Sequence, residues 1–427
     1  MMNLAFICLV FIYTISQGDA GILSRRVDPE VAMDATELIT SKGYPCENHF
    51  PVTEDGFILN IQRIPYGRNE KAYTPRPVVF LQHGLIASAT NWITNLANNS
   101  FAFILADAGF DVWLGNSRGN KYSQGNIHLR PDQDEFWDWS WDQMAKYDLP
   151  ASIDYALMFS KQKQVYYVGH SQGSTIGFAG FSQNKNLASK IKHFFALGPV
   201  STVGQMTSPL RLLADFLPEM EFVFKLLGVQ DFMPSNAVTQ WFASDVCSGG
   251  HASLFCSNII FVLCGYDEKN LNMTRIPVYF SHCPSGTSVQ DMIHFAQMVN
   301  SGKFQMYDYG SEEKNMERYN QTTPPLYDAS KMTVPVSLYW GGQDWLADPS
   351  DVLQLIPQLT NIRNNVELKD YDHLDFLWGM DATKRVYQPI INEILKMERE
   401  TEAWLANNLD ESGNGSDSWV HDNNVIF

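Results

Sequence analysis

The sequence predicts an α/β fold: a mostly parallel β-sheet with helices on both faces, and a helical segment inserted between its two halves. Three observations predict it. Short apolar runs such as Val78–Leu81 and Val165–Val168 alternate with stretches of helical periodicity, the pattern of a parallel sheet covered on both sides. One run enters Gly169-His-Ser-Gln-Gly173 and is followed by helix-compatible Ser174–Ala179, so strand, sharp turn and helix succeed one another with a serine at the apex. From about residue 201 to about 330 the strand-like runs cease, and the chain becomes helical and rich in Met and Phe.

The elements follow in order. Asp34–Thr40 reads as a short helix, and His49–Arg63 as a hairpin turning at Asp55-Gly56. Pro77–Gln82 is a strand ending at His83-Gly84-Leu85. Phe101–Ala108 is a helix, Phe110–Leu114 a strand, and Asn116–Ser123 a loop. Phe136–Met158 has apolar residues at helical spacing and is expected to form one helix. After the serine turn, His193–Val200 is a strand. The insertion contains the apolar stretch Leu210–Leu227, which reads first as a buried helix pair and, compatibly with that, as a lid over an apolar site. Strand character returns at Val334–Trp340 and Val366–Lys369, separated by helical Asp351–Leu359. A last helix spans about 381–408, and a polar Gly/Ser/Asp/Asn-rich tail, expected to be flexible, follows from 409 to 427.

The 427 residues are 45% hydrophobic and 18% charged, with a formal net charge of −17 and no block of Lys and Arg. That balance supports a large core and argues against a nucleic-acid partner. Leu4–Ile15 is an apolar run too short to span a bilayer, followed by small residues at 18 and 20. It reads as a signal peptide over 1–20, which places the mature chain outside the cell or in a lysosomal lumen. No later stretch is long and apolar enough for a transmembrane segment. Five cysteines remain after Ala20: Cys46, Cys247, Cys256, Cys264 and Cys283. Cys247 and Cys256 enclose a short loop that one disulfide could close. Neither C-x-x-C nor H-E-x-x-H occurs, so no metal site and no cofactor is expected. Sequons at Asn98, Asn272, Asn320 and Asn414 are glycosylation candidates.

The apex serine, Ser171, sets the chemistry. A serine hydroxyl attacks only when a histidine takes its proton, and that histidine needs a carboxylate to hold its tautomer. Where the serine sits on such a strand–turn–helix elbow, these arrive in the order Ser, Asp, His at the C-terminal ends of strands. Asp344, turned out by Gly341-Gly342 at the end of a strand, and His373, on the loop after the last strand, fill the slots. Asp348 and Asp375 suit helix-capping or surface roles better, and His170 suits a pocket wall. An oxyanion needs two backbone N–H donors. Gln172, after the nucleophile, and Leu85, after His83-Gly84, supply them.

These segments resemble the acid lipase family, whose members include gastric and lysosomal acid lipases. The resemblance rests on Gly43–Pro45, Thr53–Gly56, Leu81–Leu85, Asp111–Asn120, Met144–Pro150, Gly169–Gly173, Gly286–Gln290, Gly341–Pro349 and His373–Phe376, and it covers roughly residues 30–400. It implies an α/β-hydrolase core over 21–200 and 331–408, and a helical cap with lid over 201–330. It implies hydrolysis of ester bonds in neutral lipids, triacylglycerol or cholesteryl ester, presented at an interface. It also implies the triad Ser171–Asp344–His373, the oxyanion residues Leu85 and Gln172, and a Cys247–Cys256 disulfide with Cys264 free. Cys46 and Cys283 depart from the family pattern; each could be a free thiol, or the two could pair. Two other readings are an esterase for smaller esters and a catalytically silent lipid-binding homologue. The aromatic-rich, apolar insertion favours long acyl chains, because each buried CH₂ contributes about 0.8 kcal/mol.

Overall fold

The computed structural model describes residues 28–70, 75–214, 231–232, 263–265, 267 and 269–413. Eight strands form the main sheet: β1 (Glu47–His49), β2 (Ile61–Ile64), β3 (Val78–Gln82), β4 (Asp111–Leu114), β5 (Val165–His170), β6 (Ile191–Leu197), β7 (Val336–Gly341) and β8 (Ile362–Leu368). Their order is β1-β2-β4-β3-β5-β6-β7-β8. β1 and β2, and β2 and β4, pair antiparallel; every other pair is parallel. The expected sheet is therefore present, with an antiparallel edge.

Residue alternation sorts the strands' side chains onto two faces. Phe80, Trp113, Tyr167, Phe194 and Leu338 point into one core, which α3 (Leu149–Ser160) and α4 (Gln172–Gln183) cover. Val79, Leu81, Val112, Val168 and Phe195 point into the other. That face is covered by α1 (Ala35–Ser41), α2 (Phe101–Asp107) and the start of α7 (Gln388–Gly413). Asp34 caps α1 with a reciprocal Glu37 hydrogen bond, which is why the short helix starts there. From the inserted segment, α5 (Val289–Ser301) and the chain after it send Met298, Val299, Phe304 and Tyr327 into the first core. The described part of the insertion is thus packed directly onto the sheet's helical layer. α6 (Pro349–Leu355) starts behind Asp348, which caps it as expected.

The structure corrects three expectations and decides one open alternative. Phe136–Met158 is not one helix. Phe136 and Trp137 end a 3-10 turn, the α-helix begins at Trp141 behind a Ser140 capping box, and residues 144–148 form a π-turn before α3. Phe136, Trp137 and Trp139 are all buried; their spacing reflects burial on an irregular chain, since helical period alone does not make a helix. The last helix reaches Gly413, past 408. Asp375 is not a surface residue; it is buried, accepting from Asn270 and from the Asp372 N–H. Cys46 and Cys283 do not pair: both, with Cys264, are free thiols. The signal peptide, most of Leu210–Leu227, His251, Cys247, Cys256, Asn414 and the tail beyond 413 lie outside the described residues. Of the other sequons, Asn98 and Asn320 are exposed and Asn272 is half-buried.

Three of the motifs behind the family resemblance meet at one cation. Arg118, 1% exposed, donates from its backbone and side chain to Asp148 (2.7–3.0 Å) and from both terminal nitrogens to Asp55 (2.6 and 2.9 Å). Its guanidinium lies 4.1 Å from the Phe57 ring centroid. Partial burial raises the Asp55 carboxyl, but the Arg118 hydrogen bonds and charge carry it below the usual carboxylate range. This network ties the Thr53–Gly56 turn, the loop after β4 and the helix before α3 into one body beneath the site. Removing one partner of a buried pair strands the other charge. Asp148→Ala is therefore expected to destabilise the fold by about 3–5 kcal/mol, and Asp55→Ala, at the half-exposed end, by less. Chemical-denaturation midpoints of the two variants check both.

Candidate active site

Ser171 sits between β5 and α4 with φ 54° and ψ −121°. A non-glycine residue at positive φ is strained, and such strain persists where surrounding structure enforces it. The enforcement is visible. A Cβ on Gly173 would stand 2.8 Å from the His83 carbonyl oxygen, so the turn and the loop after β3 are in backbone contact. A Cβ on Gly84 would stand 3.0 Å from the Ser171 Cβ, so that loop also passes directly beside the serine. The Ser174 hydroxyl donates to the Ser171 carbonyl at 2.6 Å and accepts from Val200 N–H at 2.8 Å, locking the first turn of α4.

Asp344 and His373 leave the C-terminal ends of β7 and β8 and meet. His373 Nδ1 lies 2.8 Å from Asp344 Oδ2, and both residues are buried. The other Asp344 oxygen accepts from Leu346 N–H (2.9 Å) and Ala347 N–H (2.8 Å). That carboxylate is consequently fixed on both sides. His373 is held along its backbone as well. Its N–H donates to the Cys264 carbonyl, and its carbonyl lies 2.9 Å from His170 Nε2. Burial first, then the neighbouring His373 and His83, hold the His170 imidazole well below its usual range. A neutral ring donating from Nε2 clamps the His373 loop, so the residue expected to line a pocket wall instead supports the backbone behind the site. Asp372, beside His373, and Asp375 are both driven up by burial, with negative neighbours adding to it.

The loop after β3 is fixed by His83. Its Nδ1 lies 2.8 Å from the Gly84 carbonyl, and its Nε2 accepts from Ser117 N–H at 3.0 Å. Burial pushes this imidazole down to about 4, so the neutral form with Nδ1–H satisfies both bonds. In a trans peptide the C=O and N–H point in opposite directions. Anchoring the Gly84 carbonyl to His83 therefore turns the Leu85 N–H away from His83. The next residue, Ile86, has φ 52° and offers its carbonyl to Ser285 N–H at 2.7 Å. Gln172 and Gly173, the first residues of α4, have N–H groups without intrahelical partners.

The sheet thus brings Ser171, the Leu85 loop, Gln172, Asp344 and His373 to one edge, where strands β3, β5, β7 and β8 end. Sequence reasoning missed the supporting set: the His170 clamp, the strained Ile86, and Asp291, whose buried carboxyl receives the Gln172 side chain at 3.1 Å. Asp291 stands one residue beyond the Gly286–Gln290 motif, which was the available signal. His193, His282 and His294 are buried elsewhere, bonded to Ser337, the Glu30 carbonyl and Ser140. Among the described residues, no group of His, Cys, Asp and Glu could hold a metal ion.

Known proteins share this arrangement's sequence and fold. The chain matches the model of the alpha/beta hydrolase fold over residues 77–380 and that of a partial alpha/beta-hydrolase lipase region over 35–96. It is 53% identical over 375 residues to gastric triacylglycerol lipase of Rattus norvegicus, covering 87% of this chain and 93% of that protein. It is 50% identical over 393 residues to lysosomal acid lipase/cholesteryl ester hydrolase of Homo sapiens, covering 92% and 98%. An esterase structure from Exiguobacterium antarcticum superposes with TM-score 0.50 at 13% identity, over 82% of this chain and 99% of that one, a likeness of fold alone.

Proposed function

Since this chain belongs to the α/β-hydrolase family that includes the gastric and lysosomal acid lipases, we propose that it hydrolyses ester bonds of neutral lipids, triacylglycerol or cholesteryl ester, through an acyl-enzyme on Ser171. The observation that carries this reading is the 2.8 Å His373–Asp344 contact set at the strand ends beside the strained Ser171 turn. Asp344 holds the proton on His373 Nδ1, leaving Nε2 to take the Ser171 proton as Oγ attacks the ester carbonyl. Leu85 and Gln172 N–H groups receive the oxyanion. As the tetrahedral intermediate collapses, His373 returns the proton to the departing alcohol. Water, deprotonated by the same histidine, then releases the fatty acid. The presence of Ser171, Asp344 and His373 in the chain argues against a silent lipid-binding homologue.

The inserted segment 201–330 is proposed as a cap and lid over this edge of the sheet, the surface that meets a lipid droplet or micelle. Residues 1–20 are proposed as a signal peptide, consistent with relatives named for the stomach and the lysosome. No helix among the described residues is long and apolar enough to cross a membrane.

Substrate class is tested with emulsified long-chain triacylglycerol and cholesteryl oleate against a soluble short-chain ester. Each extra buried CH₂ is worth about 0.8 kcal/mol, so kcat/KM is expected to rise with chain length by up to about fourfold per CH₂ until the acyl site is filled. A preference for the soluble ester over every emulsified lipid would point to a small-ester esterase instead.

A further inference from the structure

Asp291 lies on α5, in the inserted segment, and is fully buried. Among the described residues its carboxylate has three donors and no cation. Oδ1 accepts from Trp141 N–H at 2.8 Å; Oδ2 accepts from Thr287 Oγ1 at 2.8 Å and Gln172 Nε2 at 3.1 Å. The Gln172 amide also lies 3.1 Å from Met144 Sδ, so Asp291 supplies its oxygen acceptor among those residues. Asp291 is itself set by Ser288, which caps α5 and donates to the Trp139 carbonyl. A buried carboxylate without a counter-ion is costly, and burial pushes this one up to about 7 against its three hydrogen bonds. The fold retains it where it grips the side chain next to the nucleophile.

We propose that Asp291 is a positioning residue for the oxyanion site: by fixing the Gln172 side chain, it fixes the Gln172 backbone N–H, and so makes the Gly286–Gln290 region part of that site's support. The proposal rests on the reading of Ser171 as nucleophile and Gln172 N–H as oxyanion donor. Gln172 is the first residue of α4, where no intrahelical bond holds its N–H, so the side chain is the handle available to set its orientation. Loss of that handle weakens an interaction made in the transition state and leaves substrate binding alone, so kcat falls while KM stays.

The test uses a soluble short-chain p-nitrophenyl ester and the rate of inactivation by an organophosphate. Asp291→Leu, close in shape, removes all three acceptor contacts. It is expected to lower kcat about 10- to 100-fold with KM within about twofold, a fraction of the roughly 10²–10³ lost when an oxyanion donor itself is removed. Asp291→Asn is expected to keep kcat within about threefold, because a flipped Gln172 amide can accept from the new NH₂ while the Asn oxygen still serves Trp141 N–H. Gln172→Met breaks the same link from the other side and carries the test if the leucine variant does not fold. The double variant Asp291→Leu/Gln172→Met should be no slower than the slower single variant, because both remove one link. Multiplying effects, a rise in KM at unchanged kcat, an asparagine variant as slow as leucine, or leucine and methionine variants both within twofold of wild type would overturn the proposal. If the wild-type protein itself is not labelled at Ser171, the underlying reading has failed instead.

Discussion

Ser171→Ala is expected to lower kcat on any ester about 10⁶-fold while leaving the fold intact. The serine lies at a turn where its φ of 54° strains any side chain with a Cβ, so alanine inherits the same backbone without new contacts. What disappears is the covalent route, and with it the use of His373 as base. A residual enhancement of about 10³–10⁴-fold over the uncatalysed reaction should survive, because the Leu85 and Gln172 donors still stabilise an oxyanion formed by water. Initial rates on a soluble ester, with circular dichroism and thermal unfolding as folding controls, check it. Adding His373→Ala to this variant should cost little more, since the two act as a unit.

Asp344→Asn is expected to lower kcat about 10⁴-fold, and the geometry says why. One Asp344 oxygen already accepts from two backbone N–H groups, Leu346 and Ala347. An asparagine must keep its oxygen there, since its NH₂ would face two donors. Its NH₂ is then turned to His373 Nδ1, which lies 2.8 Å from the aspartate oxygen in the native protein. A donor at that place selects the tautomer with the proton on Nε2, and that tautomer cannot take the Ser171 proton. The loss should sit in kcat, with KM little changed, on the same soluble ester.

Both variants concern residues that the sequence points to directly, and the reason is local. A parallel strand buried on both faces must be a short apolar run, so β3, β5, β6 and β7 are legible from their own residues. The serine elbow on β5 carries with it the order Ser, Asp, His, and that order points to Asp344 and His373. Other features depend on contacts across long stretches of chain. Asp291 and Gln172 are 119 residues apart, and Asp375 is buried by Asn270, 105 residues away. No period in the sequence records such pairs. Ile86 is a β-branched residue at positive φ, the opposite of what local preference expects; the packed loop imposes it. The break at Trp137–Ser140 was hidden because the buried Trp137 and Trp141 on either side of it keep a four-residue spacing without a continuous helix. Arg118 was visible as part of a motif, but its role emerged only when Asp55 and Asp148 proved to share it.

The most direct measurement is site mapping of a fluorophosphonate label by mass spectrometry of the intact protein and its peptides. One phosphonyl group per chain is expected, on the peptide containing Ser171, absent from Ser171→Ala and formed far more slowly in Asp344→Asn. Label carried on a different residue, or undiminished ester hydrolysis by Ser171→Ala, would contradict the account.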